Sequence, residues 1–257
     1  HTEASMALCE LTNSNPSAVL SELVNDDGSM MRGGQITEFA KQHGLEIISI
    51  DELARALPAK TNIEVLKMEW ANLPLENAEW QISTYISPTG AEHAILKFAG
   101  SPKSQPLVRI HSECLTGDVF GSKRCDCGPQ LQEAIRLIEK NGHGYIIYIR
   151  DHEGRGIGLA EKIRAYVLQD SGQDTVQANV SIGQPIDDRT YEDAAEILHR
   201  LKITSLTLLT NNPEKITAIR SAGIEVTVAP LEVSANKHNQ KYLETKRDKL
   251  NHSLGAL

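Results

Sequence analysis

Cys114, Cys125 and Cys127 stand together in the run HSECLTGDVFGSKRCDCG, and only one other cysteine, Cys9, occurs in the 257 residues. Three thiolates gathered in one stretch make a three-ligand metal site. Structural zinc sites usually close with four protein ligands, whereas catalytic ones use three and leave a position for water or substrate. Alternate residues of an extended segment point to the same side. Cys125 and Cys127 are therefore expected to face one ion with Asp126 turned away, and a chain reversal at Thr116-Gly117-Asp118 returns Cys114 to them. A fourth ligand from one of the nine histidines stays open at this point. The competing reading is that the cysteines are small buried hydrophobes. Disulfides are disfavoured, because alternate cysteines point the same way and four are few for this length.

A second group of residues suits anions. Glu153-Gly154-Arg155-Gly156-Ile157-Gly158 follows a buried strand and precedes a helix. Glycines in such a loop let backbone N–H groups approach phosphate at a helix N-terminus. The spacing departs from Gly-x-Gly-x-x-Gly, so a plain strand–helix turn competes with the phosphate reading; Arg155 tips it, since a guanidinium grips phosphate oxygens in bidentate fashion. The segment TNNPEK repeats the pattern, with Thr210 ending a strand and Lys215 in a first helical turn, where a cation opposes the dipole unless an anion is present. A solvated lysine is the plain alternative. Asp187-Asp188-Arg189 precedes another helix; spacing alone favours a helix cap with a surface ion pair over a general base. Tyr166 lies inside a helix, where packing is the ordinary role.

The elements that must position these groups follow from periodicity and turn residues. Residues 18–24 and 45–50 read as strands around a helix at 35–43 stopped by Gly44, with Asp51 capping a further short helix. Residues 58–68 read as a linker. WQISTYI, AEHAILKF and PLVRIHS read as an antiparallel meander delivering Cys114. A helix follows with Pro129 near its start and Leu131, Ala134, Ile135 and Ile138 on its apolar face. Then come the strand GYIIYI, a helix at 159–169, a helix at about 190–201, the strand SLTLLT, the helix EKITAIRSAG and the strand IEVTV. The last strand–helix–strand unit predicts a parallel pair. The tail NKHNQKYLETKRDKL is basic and helical in pattern. The fold class expected is mixed α/β: an antiparallel portion and a part-parallel sheet flanked by helices, preceded by a partial α/β unit. The domain boundaries are 1–57, a linker at 58–68, and 69–257.

Hydrophobic content of 40% and charged content of 23% describe an ordinary globular chain, with no apolar run near the roughly 20 residues of a membrane span. HTEASMALCE lacks the basic and apolar regions of a signal peptide, so a cytoplasmic setting is expected. A net charge of −8 disfavours nucleic acid as a partner. Arg109, Lys123, Arg124, Arg150, Arg155, Lys162 and Arg164 nonetheless cluster around the cysteines and glycines, which suits a small anion. A zinc nucleobase deaminase is set aside because its His-x-Glu and Pro-Cys-x-x-Cys are missing.

HSECLTGD, RCDCG, HEGRGIGL, KIRAYVLQDSG, IDDR, LLTNNPEK and YLETKRDKLNH occur in that order, and residues 65–254 resemble the GTP cyclohydrolase II family of riboflavin biosynthesis. HTEA and VNDDGSMMR in the first 57 residues resemble the C-terminal end of 3,4-dihydroxy-2-butanone-4-phosphate synthase. The resemblance implies conversion of GTP and water to a diaminopyrimidinone ribosyl phosphate, formate and pyrophosphate. It implies one zinc per chain on Cys114, Cys125 and Cys127, activating water for attack at C8 of guanine, with Mg²⁺ at the triphosphate. By position, Tyr166 would assist proton transfer, Asp187 would be general base, and Arg189 would act at the α-phosphate as nucleophile or electrostatic stabiliser. Arg109, Glu113, Gln130, Glu153, Gly154, Arg155, Thr210 and Lys215 would contact GTP, with Glu153 at the guanine edge. The family also implies a homodimer. In the synthase resemblance His1 would bind Mg²⁺ and Glu22 would serve sugar-phosphate chemistry; with an acidic loop expected upstream, the chain reads as a fragment without synthase activity. The rival reading is a non-catalytic zinc-containing GTP-binding or regulatory module, favoured by a fourth protein ligand.

Overall fold

The structure, a computed structural model, describes residues 1–50, 52–53, 68–101 and 105–249 and divides into two units, His1–Val65 and Leu66–Leu257. In the first unit, α1 spans Thr2–Leu11, a helix that the sequence pattern did not predict, and α2 spans Gly34–His43. Gly44 ends α2 in the left-handed region at φ 64°, as expected of a glycine stop. The two strands predicted at 18–24 and 45–50 do not form; only an isolated bridge joins Val24 to Met30. Val19, Ile47, Ile48 and Ile50 are exposed. A strand is held by a neighbouring strand, and among the described residues neither segment has one. Next in the chain, Ser49 Oγ accepts from Glu52 N at 3.1 Å while the Glu52 carboxylate accepts from Ser49 N at 2.8 Å, a reciprocal pair of the capping-box kind. Asp51 and most of the predicted linker lie outside the described residues.

The second unit is built on one mixed sheet of seven strands: β1 Ala71–Pro74, β2 Glu79–Ile86, β3 Glu92–Ala99, β4 Leu107–Ser112, β5 His143–Ile149, β6 Ser205–Leu209 and β7 Glu225–Ala229, in the order β1-β2-β3-β5-β4-β6-β7. β1, β2, β3 and β5 pair antiparallel, while β5, β4, β6 and β7 run parallel. The predicted meander therefore stops after β3. β4 does not pair with β3; it lies between β5 and β6, with four successive residues, Val108 to His111, buried. Continuous burial on both faces belongs to the centre of a parallel sheet.

The helices are α3 Leu115–Asp118, α4 Cys127–Asn141, α5 Gly158–Asp170, α6 Thr175–Ser181, α7 Glu192–Arg200, α8 Pro213–Ser221 and α9 Gln240–Lys249. α6 was not predicted; it carries a full capping box between Asp174 and Gln177. Both sheet faces are covered. Ile147 points into a core with Ile110, Ile197, Leu198 and Leu208, and its neighbour Ile146 points into the other with Trp80, Ala134 and Ile138. That alternation is the period of two of a strand. Ala134 and Ile138 come from α4, as its apolar spacing predicted, and Gly142 ends it at φ 85°. The parallel strands leave their carboxyl ends, with the residues that follow β4, β5 and β6, along one edge of the sheet.

Candidate active site

Cys114 follows β4, α3 reverses the chain, and Cys125 and Cys127 enter α4. The three sulfurs lie within 4.8 Å of one another, with Cys114 Sγ and Cys125 Sγ 3.7 Å apart. Two sulfurs each about 2.3 Å from a tetrahedral ion sit roughly 3.8 Å apart, so the spacing fits a thiophilic metal. Among the described residues no fourth His, Cys, Asp or Glu joins the cluster. Gly117 keeps the cage open: a Cβ there would meet Cys125 Sγ at 2.8 Å, Cys127 Cβ at 3.1 Å and Cys114 Sγ at 3.2 Å. All four cysteines are free. Hydrogen bonds from the other two thiols, with help from Lys162, lower the Cys114 pKa, while the Cys125 thiol is pushed up to about 11, chiefly by Cys114. One thiolate thus forms readily, and a divalent cation would draw the protons from the others.

The Cys-x-Cys segment is not extended, and Asp126 does not face solvent. It is 1% exposed and sits at the start of α4, its carboxylate accepting from Gln130 Nε2 at 2.6 Å and Lys246 Nζ at 2.7 Å. The cysteines converge because the chain tightens into a helix, not because alternate residues share a face. Asp118 holds the other side of the cage. Its carboxylate accepts from Cys114 N (3.0 Å) and Tyr148 Oη (2.8 Å) and pairs with His111 Nε2 (3.1 Å).

The cage opens into a pocket with about 1110 Å³ of empty space, its mouth included. Of the predicted basic cluster, Arg109, Arg124, Arg155 and Lys162 line it. Arg164 and Arg150 instead pair with Glu161 and Glu92 outside it. Tyr166, on α5, faces the pocket with Oη 3.3 Å from Thr116 Oγ1, and burial raises its pKa. Glu153 is buried and accepts from Leu115 N at 2.7 Å, Gly154 N at 3.1 Å and Lys162 Nζ at 2.5 Å. Lys162 Nζ also lies 3.2 Å from Cys114 Sγ and so joins the cage to Glu153. Glu113 lines the pocket, its pKa raised by burial and by Glu153. Arg109 Nη2 donates to Gln130 Oε1 at 2.7 Å and Nη1 to Leu209 O at 3.0 Å.

Two plain alternatives fail. Asp187 does not cap a helix: α7 begins at Glu192 with Tyr191 in the cap position. Its carboxylate instead accepts from Arg189 Nε (2.8 Å) and Nη2 (2.5 Å), with Arg155 Nη1 at 3.5 Å. Burial opposes the charge on Asp187, but the two guanidiniums win and hold its pKa below the ordinary carboxylate value. Arg189 stays firmly protonated: burial works against its charge, and Asp187 more than offsets it. Lys215 is not solvated. It is 4% exposed, donates to Ile110 O at 2.8 Å, and burial beside Arg109 and Arg189 drives its pKa well down. Thr210 Oγ1 accepts from Asn212 N at 3.0 Å, starting the turn into α8. In the glycine loop Gly154, Arg155 and Gly156 all have positive φ (61°, 70° and 92°), a tight reversal that brings Arg155 over Asp187.

A second cluster, His93, Asp151 and Asp193, does not make a metal site. His93 Nδ1 accepts from Arg150 N at 3.2 Å, which places the ring proton on Nε2, donating to Asp193 at 3.0 Å. Lys162 of the predicted basic cluster precedes Tyr166 by one helical turn, a spacing that puts both on one face. Asn211 and Asn212 of the TNNPEK segment line the pocket as well, and so do His152, Tyr242 and Lys246, which sequence reasoning did not single out as site residues.

A three-thiol cluster that could hold a metal ion opens into a pocket walled by guanidinium and ammonium groups, at the carboxyl ends of the parallel strands of a mixed α/β sheet. A family model described as GTP cyclohydrolase II matches residues 67–229, and one described as 3,4-dihydroxy-2-butanone 4-phosphate synthase matches residues 1–56. The chain belongs to the GTP cyclohydrolase II family. It is 45% identical over 258 residues to "Riboflavin biosynthesis protein RibBA" of Salinispora tropica, covering 99% of this chain and 64% of that protein. It is 46% identical over 256 residues to the protein of the same name from Aquifex aeolicus, covering 98% and 63%. A "Probable bifunctional riboflavin biosynthesis protein RIBA 2, chloroplastic" of Oryza sativa subsp. japonica is 45% identical over 258 residues, covering 99% and 46%. The chain thus spans under two thirds of the length of these curated relatives. Among the described residues no helix is long and apolar enough to cross a membrane.

Proposed function

We propose that this chain hydrolyses GTP, with zinc, to 2,5-diamino-6-(5-phosphoribosylamino)pyrimidin-4(3H)-one, formate and pyrophosphate, the first step of riboflavin biosynthesis. The observation that supports it most is the Cys114, Cys125, Cys127 cage without a fourth ligand among the described residues, sharing one pocket with Glu153, Arg155, Arg189 and Lys215. Zinc bound there supplies Lewis acidity and a nucleophile drawn from water near neutral pH.

The chain's own groups do the rest. Glu153 has acceptor capacity beyond its three present donors, since a carboxylate offers about four lone-pair sites, and receives the guanine N–H edge. Glu113 and Gln130 border the base and the cage. Tyr166, protonated by virtue of its burial, donates at the opening ring. Arg155, Arg189, Thr210 and Lys215 bind the phosphates; Arg109, tied to Gln130, adds fixed positive charge. Asp187 remains ionised and serves as base, while Arg189, held as a cation, acts as electrostatic stabiliser at the α-phosphate rather than as nucleophile. The family reading brings Mg²⁺ at the triphosphate and a homodimer with it, and free cysteines fit a reducing, cytoplasmic setting.

The test is turnover of GTP by this chain with Zn²⁺ and Mg²⁺, following formate and the pyrimidine by mass. Both products are expected, and both are lost on chelation. One zinc per chain without formate would overturn the enzymatic reading in favour of a non-catalytic GTP-binding module.

A further inference from the structure

The C-terminal helix α9 lies beyond residues 67–229, the segment that the cyclohydrolase model matches, yet it reaches the metal cage. Lys246 Nζ donates to Asp126 Oδ1 at 2.7 Å, and Asp126 is the residue between Cys125 and Cys127. Asp126 Oδ2 accepts from Gln130 Nε2 at 2.6 Å, and Gln130 Oε1 accepts from Arg109 Nη2 at 2.7 Å. Just before α9, buried Asn239 donates to the Cys125 carbonyl at 3.5 Å. Tyr242 lines the pocket one turn before Lys246, whose ammonium lies 4.8 Å from its ring centroid. A buried carboxylate between two thiolate ligands is repelled by both. Without a cation it would turn outward and carry the Cys-x-Cys segment with it, because an unpaired buried charge is costly.

We propose that Lys246 is a positioning residue for the metal cage and for Arg109, acting through Asp126. This inference rests on the metal-site reading of the three cysteines. α9 locks the Cys-x-Cys segment from outside, and the relay Lys246–Asp126–Gln130–Arg109 sets the substrate arginine in register with the metal.

The test uses the full chain and Co²⁺ as probe, reading the thiolate-to-cobalt absorption band under competition with a chelator, with GTP left out. Lys246→Met is expected to weaken Co²⁺ binding about tenfold or more, the usual scale for removing a group that orients a metal ligand. Lys246→Arg, which keeps the cation, is expected to restore most of it. Arg247→Gln, on the exposed side of the same helix, changes nothing. In an Asp126→Asn background the Lys246→Met step is expected to change affinity by less than about twofold, as coupling through Asp126 requires. Circular dichroism establishes that each variant is folded. Wild-type affinity in Lys246→Met, or the same loss with and without Asp126, would overturn the proposal. Absence of the cobalt band in the wild-type chain would instead overturn the metal-site reading on which it stands.

Discussion

Gly117→Ala isolates the cage from everything else in the site. Gly117 is not in the left-handed region, so alanine brings no backbone strain there. What it brings is one methyl group, 2.8 Å from Cys125 Sγ and 3.2 Å from Cys114 Sγ. Ordinary non-bonded contact is about 3.5–4.0 Å, so Cys125 Sγ must retreat by roughly 0.7 Å or more. Metal–sulfur distances tolerate about 0.2 Å, several times less. Overfilling a packed site costs about 1–3 kcal/mol, which in a domain of this size lowers the melting temperature by about 2–4 °C per kcal/mol. The fold is therefore expected to survive while the metal is lost. The assay is metal content by mass spectrometry after dialysis, with the cobalt band as an independent reading. Gly117→Ala should hold well under half the wild-type metal; Gly34→Ala, whose added carbon meets nothing within 4 Å, should hold all of it. A folded Gly117→Ala protein with full metal and an unshifted cobalt band would refute the reasoning.

Three further outcomes are expected. Cys125→Ser should lose metal and all formate production, measured by mass; retention of both would remove Cys125 from the ligand set. Arg189→Ala should cut turnover by at least about a hundredfold with metal content unchanged, and wild-type rates would show that the Asp187–Arg189 pair is only structural. His152 is buried beside Arg189 and Lys215, and burial first, then their charge, lowers its pKa from 6.5 to about 3. Below about pH 6.5 the unfolded chain takes up a proton that the folded chain refuses, so stability is full above that pH and falls toward pH 3, by at most about 1.4 kcal/mol per pH unit. The drop in melting temperature between pH 7.5 and 5.5 should shrink in His152→Asn; an unchanged drop would locate the titration elsewhere.

The sequence made the cyclohydrolase unit legible where local rules suffice. Ala134 and Ile138 face the core because helical spacing places them there, and Gly44 and Gly142 stop helices because only glycine takes that turn easily. Cys114, Cys125 and Cys127 were readable as one cluster because all lie in a single stretch. Strand partners were not readable: PLVRIHS has the same apolar run whether it pairs with β3 or sits between β5 and β6. The strands predicted at 18–24 and 45–50 failed for a related reason, since apolar pattern alone supplies no neighbour. Spacing alone left a solvated Lys215 open and favoured a surface cap for Asp187, because burial depends on elements far along the chain; Lys246 meets Asp126 across 120 positions.

The spacing of the ligands along the chain bears on how the site comes into being. Cys114 and Cys127 are 13 positions apart, whereas Arg109 and Lys215 are 106 apart and meet only when β4 and β6 pair. Closing a short loop costs less entropy than closing a long one, and local contacts form before non-local ones. On the proposed reading, the cysteine segment is expected to form early and the wall of Arg109 and Lys215 late. A nascent chain would then have all three cysteines in hand after residue 127, well before β6 and α8 exist.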